Sequence, residues 1–304
     1  MLAPVVIFVY RRPEHTKKTI ESLSKNYLAK ETEVFIYSDG PKDEKSEKEV
    51  KLVREYIDLL PEKRFFKSIK IIKSETNKGL ANSIISGVSE IIEKYGKVIV
   101  LEDDLVSSKD FLQFMNAALE YYKDNSKIWS ISGYNLPIKI PKDYEYDVYL
   151  SYRASSWGWA TWKNRWEKVD WEVSDYDDFK KNKLLRNKLN RGGRDLSFML
   201  DLQMQGKIDS WAIRWCFAQS KLDMLTVYPV ISRIRNIGLD GTGTHSGFNQ
   251  RYDVDINIDT DTETKKYKFV DLYLDKRILR RFRNFYMSSL KYILINIKKH
   301  ITKS

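Results

Sequence analysis

The sequence predicts an α/β protein: a Rossmann-like, mostly parallel sheet flanked by helices, followed by a basic amphipathic helical tail. Three observations carry that expectation. Short apolar runs of strand length alternate with amphipathic runs of helical period as far as Leu105. Each apolar run ends in polar or charged residues, as a site outside the carboxyl ends of parallel strands requires. Residues 276–304 carry nine Lys or Arg and no acid, with apolar residues recurring near helical spacing.

The elements follow in chain order. Val5–Tyr10 reads as the first strand. Pro13-Glu14-His15-Thr16 opens a helix that runs through Leu23, with Pro in the first turn, where a missing N–H is tolerated. Glu33–Tyr37 is a second strand, closed by Ser38-Asp39-Gly40-Pro41. Glu44 to Leu60 is helical and stops at Pro61. Ile69–Ile72 is a third strand. Lys78 to Lys94 is a helix with Leu80, Ile84, Ile85, Val88, Ile91 and Ile92 as its apolar residues. Val98–Leu101 is the fourth strand. Beyond about residue 125 the texture changes. Trp157 to Trp171 holds five of the eight tryptophans. Asp195 to Trp215 reads as helical, Tyr228–Ile234 as strand and Gly238 to Gly247 as a Gly-rich loop. Asp253 to Thr264, polar and acidic, reads as an exposed strand or loop. With no repeat and no long linker, the second half is expected to pack on the first.

Composition narrows the class. A chain of 304 residues, 42% hydrophobic and 13% aromatic, is long and apolar enough for a real core. A lone cysteine, Cys216, excludes an internal disulfide framework and fits a reducing compartment. Leu2-Ala3-Pro4 leads straight into the first strand, too short and wrongly flanked for an export signal. No run of about 20 apolar residues reads as a membrane span. A cytoplasmic location is expected. The net charge is +11, of which the basic tail supplies nine, leaving +2 (11 − 9) for residues 1–275. A body so close to neutral argues against a general nucleic-acid binder.

The run Lys97 to Leu105, KVIVLEDDL, says most about function. An apolar strand delivers Glu102, Asp103 and Asp104 together at its end. Adjacent acids repel, so they are costly unless something positive sits among them. Oxygen donors favour a hard cation, Mg2+ or Mn2+, which commonly bridges carboxylate to phosphate. The bland alternative is an acidic turn before a helix capped by Ser107 or Ser108.

At this point the chain resembles a family. Tyr10-Arg11-Arg12-Pro13-Glu14, Ser38-Asp39-Gly40, Asn77-Lys78-Gly79-Leu80 and Glu102-Asp103-Asp104, in that order, are similar to nucleotide-sugar-dependent glycosyltransferases of the GT-A fold. Within these the chain resembles bacterial family 2-like enzymes and, more distantly, eukaryotic N-acetylglucosaminyltransferase I. Trp157-Gly158-Trp159 resembles a Gly-Trp element of the latter, and Asp209-Ser210-Trp211-Ala212 its catalytic Asp-Asp-Trp loop, though Ser210 replaces the second acid. The likeness covers roughly residues 4–250. It implies one GT-A domain over residues 1–270, with a nucleotide-binding half (1–125) and an acceptor or catalytic half (126–270); the 276–304 tail departs from the family pattern, and residues 271–304 read as a basic amphipathic helical tail from their own spacing.

The resemblance also implies roles. Asp104 becomes the metal ligand, with Asp103 beside it and Glu102 facing the ribose or orienting the neighbouring acids. Asp39 resembles the acid that accepts from a uracil N–H or a ribose hydroxyl; a plain Asp-Gly turn is the alternative. Arg11 and Arg12 would approach the nucleotide or its phosphates. Asn77, Lys78 and Gly79 lie at a helix mouth, where Gly permits close approach and the N-terminus favours anions, while Asn77 could equally be an N-cap. His245, in a Gly-rich loop, is carried over as a second metal ligand. Trp157 and Trp159, with Gly158 between them, and Trp162 are candidates to stack on sugar, although large aromatics usually fill cores. Asp209 is the candidate general base, with Asp195 and Asp201 as rivals.

The tail places Ile278, Phe282, Phe285, Tyr292, Ile293, Ile297 and Ile301 among Arg and Lys, a membrane-surface pattern that could also pack on the domain or a second subunit. The combined expectation is a Mn2+- or Mg2+-dependent inverting glycosyltransferase at the inner membrane face. It would move a sugar from a UDP-linked donor to a saccharide or lipid-linked acceptor. A nucleotidyltransferase of similar fold, or a non-catalytic saccharide- or membrane-binding module, is the alternative. The first usually needs a glycine in the loop after strand one, and Tyr10-Arg11-Arg12-Pro13-Glu14 has none.

Overall fold

The computed structural model describes residues 1–241, 250–256 and 266–286. Its first half is built as the periodicity predicts. β1 (Val5–Val9) is buried throughout, because it lies between two parallel neighbours. After it come α1 (Pro13–Ser24), β2 (Glu33–Ser38), α2 (Glu44–Asp58), the short α3 (Leu60–Lys63), β3 (Ser68–Lys73), α4 (Leu80–Tyr95) and β4 (Lys97–Glu102). β3 is an edge strand and keeps Lys70 and Lys73, as edges exposed to solvent do. Pro61 does not simply stop α2; it enters the first turn of α3, where proline is favoured.

The second half adds β5 (Leu105–Ser107), α5 (Phe111–Tyr122), β6 (Ile128–Ser132), β7 (Val148–Ser151) and β8 (Trp159–Trp162). Then follow α6 (Lys163–Trp166), α7 (Tyr176–Lys181), α8 (Lys183–Leu189), α9 (Leu196–Met204), α10 (Trp211–Lys221), β9 (Leu225–Pro229) and β10 (Ile234–Asn236). Eight strands form one sheet in the order β3-β2-β1-β4-β8-β6-β9-β7, while β10 pairs with β5 apart from it. Pairing is parallel from β3 to β4 and again for β6 with β9, and antiparallel where β8 joins β4 and β6 and where β7 joins β9. The chain runs outward from β1 to β3 and then returns to place β4 on the other side of β1. That reversal is a topological switch point, where open α/β sheets bind ligands.

Alternation along each strand fills two cores. Val5, Ile7 and Val9 face one with residues of α1, α2 and α5. Val6 and Phe8 face the other with Ile84, Val88, Ile91 and Ile92 of α4 and the indoles Trp129, Trp159, Trp166, Trp211 and Trp215.

Several expectations are corrected. The stretch Asp195 to Trp215 is two helices, not one. Gly206 at φ +66° breaks it, and the Ser210 hydroxyl accepts the Ile213 N–H to start α10. Tyr228–Ile234 is not a single strand but the end of β9, a bend and the start of β10. Ser107 belongs to β5, and α5 begins after Asp110 rather than after a serine cap. Residues 253–256 have no regular structure, and the remainder of the predicted acidic segment lies outside the described residues.

Residues 276–286, the described part of the basic tail, are helical. Ile278 and Phe282 are fully buried in the first core, and Phe285 and Tyr286 pack against it. Arg277 pairs with Asp143 and Asp275. This portion is docked on the domain. Tyr292, Ile293, Ile297 and Ile301 lie outside the described residues. Among those described, no helix is long and apolar enough to cross a membrane.

Candidate active site

The carboxyl ends of β1, β2 and β4 open into a cleft of about 500 Å³. Its walls include Tyr10, Arg11, Arg12, Asp39, Asn77, Gly79, Glu102, Asp103, Asp104, Trp157 and Asp209. The structure thus gathers motifs up to 199 residues apart (Tyr10 to Asp209) at the switch point.

The acidic triplet sits against one arginine. Arg12 Nη2 donates to Asp103 Oδ1 at 2.5 Å and to Asp104 Oδ2 at 2.7 Å. Asp103 also accepts weakly from the Tyr10 N–H at 3.4 Å, and its carbonyl accepts from Thr19, so it ties β4 to β1 and α1. Burial raises the Asp103 carboxyl above its ordinary range, with repulsion from Asp104 added and Arg12 opposing. Burial, then repulsion by Asp104 and Asp103, lifts Glu102 to about 8. For Arg12 burial works downward, but Asp103 and Asp104 outweigh it and hold the guanidinium above its usual value. One guanidinium therefore pairs with two of three crowded acids, and their hard oxygen donors fit a divalent cation in donor chemistry. No group of three metal-binding side chains converges among the described residues.

Asp39 is held by backbone. Oδ1 accepts the N–H groups of Gly40 and Lys78 at 2.9 Å each, and Oδ2 accepts that of Gly79 at 3.1 Å. It pins the end of β2 to the mouth of α4. Asn77 is not the N-cap of α4; Gly79 occupies that position at φ +76°, and the Asn77 amide donates instead to the Gly40 carbonyl. Lys78 is exposed and contributes its N–H rather than its ammonium. Arg11 leans toward Glu49 at 3.8 Å and over the Tyr10 ring. The two arginines therefore differ in partners; sequence alone expects one of them to be a surface charge without saying which.

The tryptophans divide. Trp157 lines the cleft, with Tyr134 and Tyr252 packed edge-on against it. Trp159 does not reach the cleft: at 1% exposure it is stacked among Trp166, Trp211 and Trp215. Its place in β8, opposite Val100 of β4, commits the ring to the core. Trp162 is buried too and donates to the Leu119 carbonyl. Gly158 is structural, at φ +61° with its carbonyl accepting the Gly133 N–H and no room for a Cβ beside Ile234.

Asp209 stands on the loop before α10, 61% exposed at its side chain, with Arg214 at 3.9 Å. Its rivals are engaged elsewhere. Asp195 is buried against Arg153, and Asp201 takes a forked pair of hydrogen bonds from Arg186 and one from Tyr176. His245 lies outside the described residues. Sequence reasoning missed Arg54, whose guanidinium donates to the carbonyls of Asp39 and Ser74 and so laces the ends of β2 and β3. It also missed Lys42, Asn236 and Leu239 on the cleft wall. Lys42 directly follows the Ser38–Pro41 loop and was legible with it, whereas Arg54, Asn236 and Leu239 carry no local signal because long-range packing brings them there.

The chain matches the glycosyl transferase family 2 model over residues 5–192. Over 106 residues it is 29% identical to an alpha-1,3-mannosyl-glycoprotein 2-beta-N-acetylglucosaminyltransferase of Arabidopsis thaliana, a match covering 33% of this chain and 22% of the plant protein. Among solved structures, TarS of S. aureus gives a TM-score of 0.33 at 17% identity, covering 47% of this chain and 23% of that one. GalNAc-T7, solved with UDP, GalNAc and Mn2+, gives 0.46 at 11% identity, covering 75% and 42%. The chain thus spans less than a quarter of the length of the plant relative and of TarS.

Proposed function

This chain belongs to glycosyl transferase family 2 and is a glycosyltransferase of GT-A fold, and we propose that it inverts the anomeric centre of a UDP-linked sugar as it transfers that sugar to a saccharide or lipid-linked saccharide. The observation that carries the reading is the cleft at the switch point, which joins Asp39, the acidic triplet and Asp209 in one space. Asp39 fixes the loop against which the nucleoside would lie, and the N-terminus of α4 offers a favourable end for phosphate. Asp209, open to solvent, is free to take the proton of an acceptor hydroxyl. That oxygen attacks the anomeric carbon as the bond to the diphosphate breaks, and UDP leaves. Attack opposite the leaving group inverts configuration. Trp157 offers a flat apolar wall for a sugar ring.

Asp104, with Asp103 beside it and His245 as a second candidate, would hold Mn2+ or Mg2+. When bound, such an ion offsets the charge that gathers on the departing diphosphate. The Arabidopsis relative makes N-acetylglucosamine an early donor to test, beside hexoses. Beyond residue 286 the basic residues of the tail support contact with an anionic membrane surface, each worth about 1 kcal/mol near such a surface.

UDP is titrated into the wild type and Asp104→Ala, each with Mn2+ and with chelator. Tight binding only in the wild type with Mn2+ supports the reading. Equal affinity in all four conditions removes the metal bridge, and absence of UDP binding throughout removes the donor assignment.

A further inference from the structure

Resting on the nucleotide-sugar reading, we propose that Arg12 is the built-in counter-ion of the acidic triplet, competing with a divalent cation for Asp103 and Asp104 until a donor diphosphate draws the guanidinium away. Three observations carry this. First, a single nitrogen, Nη2, spans both carboxylates, so the cation-binding oxygens are already taken by a positive group of the chain itself. Second, Nη1 of the same guanidinium is buried and has no hydrogen-bond partner among the described residues. That arm lies on the Gly238 side, so a phosphate can engage both prongs of the fork only when the guanidinium turns away from the two carboxylates. Third, the chain after β10 is fitted to the pair. The Ile237 N–H donates to the Asp104 carbonyl, and a Cβ at Gly238 would fall 2.0 Å from Asp104 Oδ2 and 2.6 Å from Arg12 Nη1. The pair is enclosed by backbone on that side and open toward the cleft.

The competition has a direction. A cation added alone must displace Arg12, which lowers its apparent affinity. A diphosphate offers the guanidinium a new partner and frees the carboxylates, so cation and nucleotide strengthen each other's binding by the same factor. Arg12 is thus a positioning residue for the metal site. Arg11, engaged near Glu49 and Tyr10, has no such part.

Calorimetry of Mn2+ alone, UDP alone and the two together is run on wild type, Arg12→Gln and Arg12→Lys, with circular dichroism as the check on folding. Arg12→Gln is expected to bind Mn2+ alone at least about tenfold more tightly than the wild type. In the wild type UDP is expected to tighten Mn2+ by about 5- to 150-fold, the usual size of a coupling between sites. That coupling should shrink in Arg12→Gln. Lysine keeps the charge but not the fork, so Arg12→Lys should fall between the two. If either folded variant binds Mn2+ no more tightly than the wild type, the clamp is overturned. If neither variant folds, the wild type decides: Mn2+ affinity unchanged by bound UDP overturns it. Should UDP fail to bind at all, the donor assignment falls, and the clamp is judged on Mn2+ alone.

Discussion

A methyl group added to Gly79 would stand 3.9 Å from Oδ2 of Asp209, so the acid that opens α10 hangs over the N-terminus of α4. The two lie 130 positions apart in sequence (209 − 79) and in opposite halves of the domain. This proximity puts the candidate base beside the anion-favouring end of a helix and frames the predictions that follow.

Gly79→Ala forces an L side chain into a positive-φ position, at a cost of about 1–3 kcal/mol. Denaturant melts should show that loss. UDP affinity should fall as well, because the Gly79 N–H also holds Asp39. A fully stable variant would mean that the backbone relaxes out of this conformation.

Asp209→Asn keeps the shape of the side chain and removes its ability to accept a proton. Transfer should fall by about 100- to 10,000-fold while UDP binding persists. Activity within a few-fold of wild type, or a product with retained configuration, removes Asp209 from the role.

Asp195 and Asp201 should behave as structural acids. Asp195→Ala leaves the Arg153 charge buried without its partner, a loss of about 3–5 kcal/mol. Burial would raise the Asp201 carboxyl, but hydrogen bonds from Arg186 and Tyr176 outweigh it and hold it below its ordinary range. The native state therefore binds this proton less readily than the unfolded chain. Its contribution is present at neutral pH and fades as pH falls through and below the ordinary carboxylate range. Asp201→Asn should be less stable than wild type at pH 7, with the gap closing toward pH 3. A gap independent of pH would contradict this.

Trp157 and Trp159 should separate stability from binding. Trp159→Ala opens the indole core and should cost about 3–5 kcal/mol. Trp157→Ala should lose less in a melt and more in acceptor KM. Equal melts for the two would place both rings in the core.

Cys216 should be inert in the folded protein. It is buried, and burial pushes its thiol up to about 11, which leaves about one thiol in a thousand ionised at pH 8. An aromatic disulfide reagent should titrate no thiol until denaturant is added. Rapid native reaction would show that this part of α10 opens.

The sequence by itself determined the first half of the fold. β1, β2 and β4 were legible because strands buried inside the sheet, with neighbours on both sides, are continuous apolar runs, and their polar ends named Arg12, Asp39 and the triplet without reference to anything distant. Helix punctuation was legible where it is local, as at Pro13, and misleading where it is not. Asn77 looks like a cap, but its amide is drawn to Gly40 across the sheet. Only the tertiary structure decided the rest. The antiparallel pairing of β8 with β4 sends Trp159 into the core, while Trp157, just before that strand, lines the cleft. Long-range pairing with Arg153 and Arg186 withdrew Asp195 and Asp201 and left Asp209 open. The switch-point topology set Arg12 against Asp103 and Asp104. A chain reveals which residues are charged, but which charge meets which is fixed by packing, where burial makes an unpaired one too costly to keep.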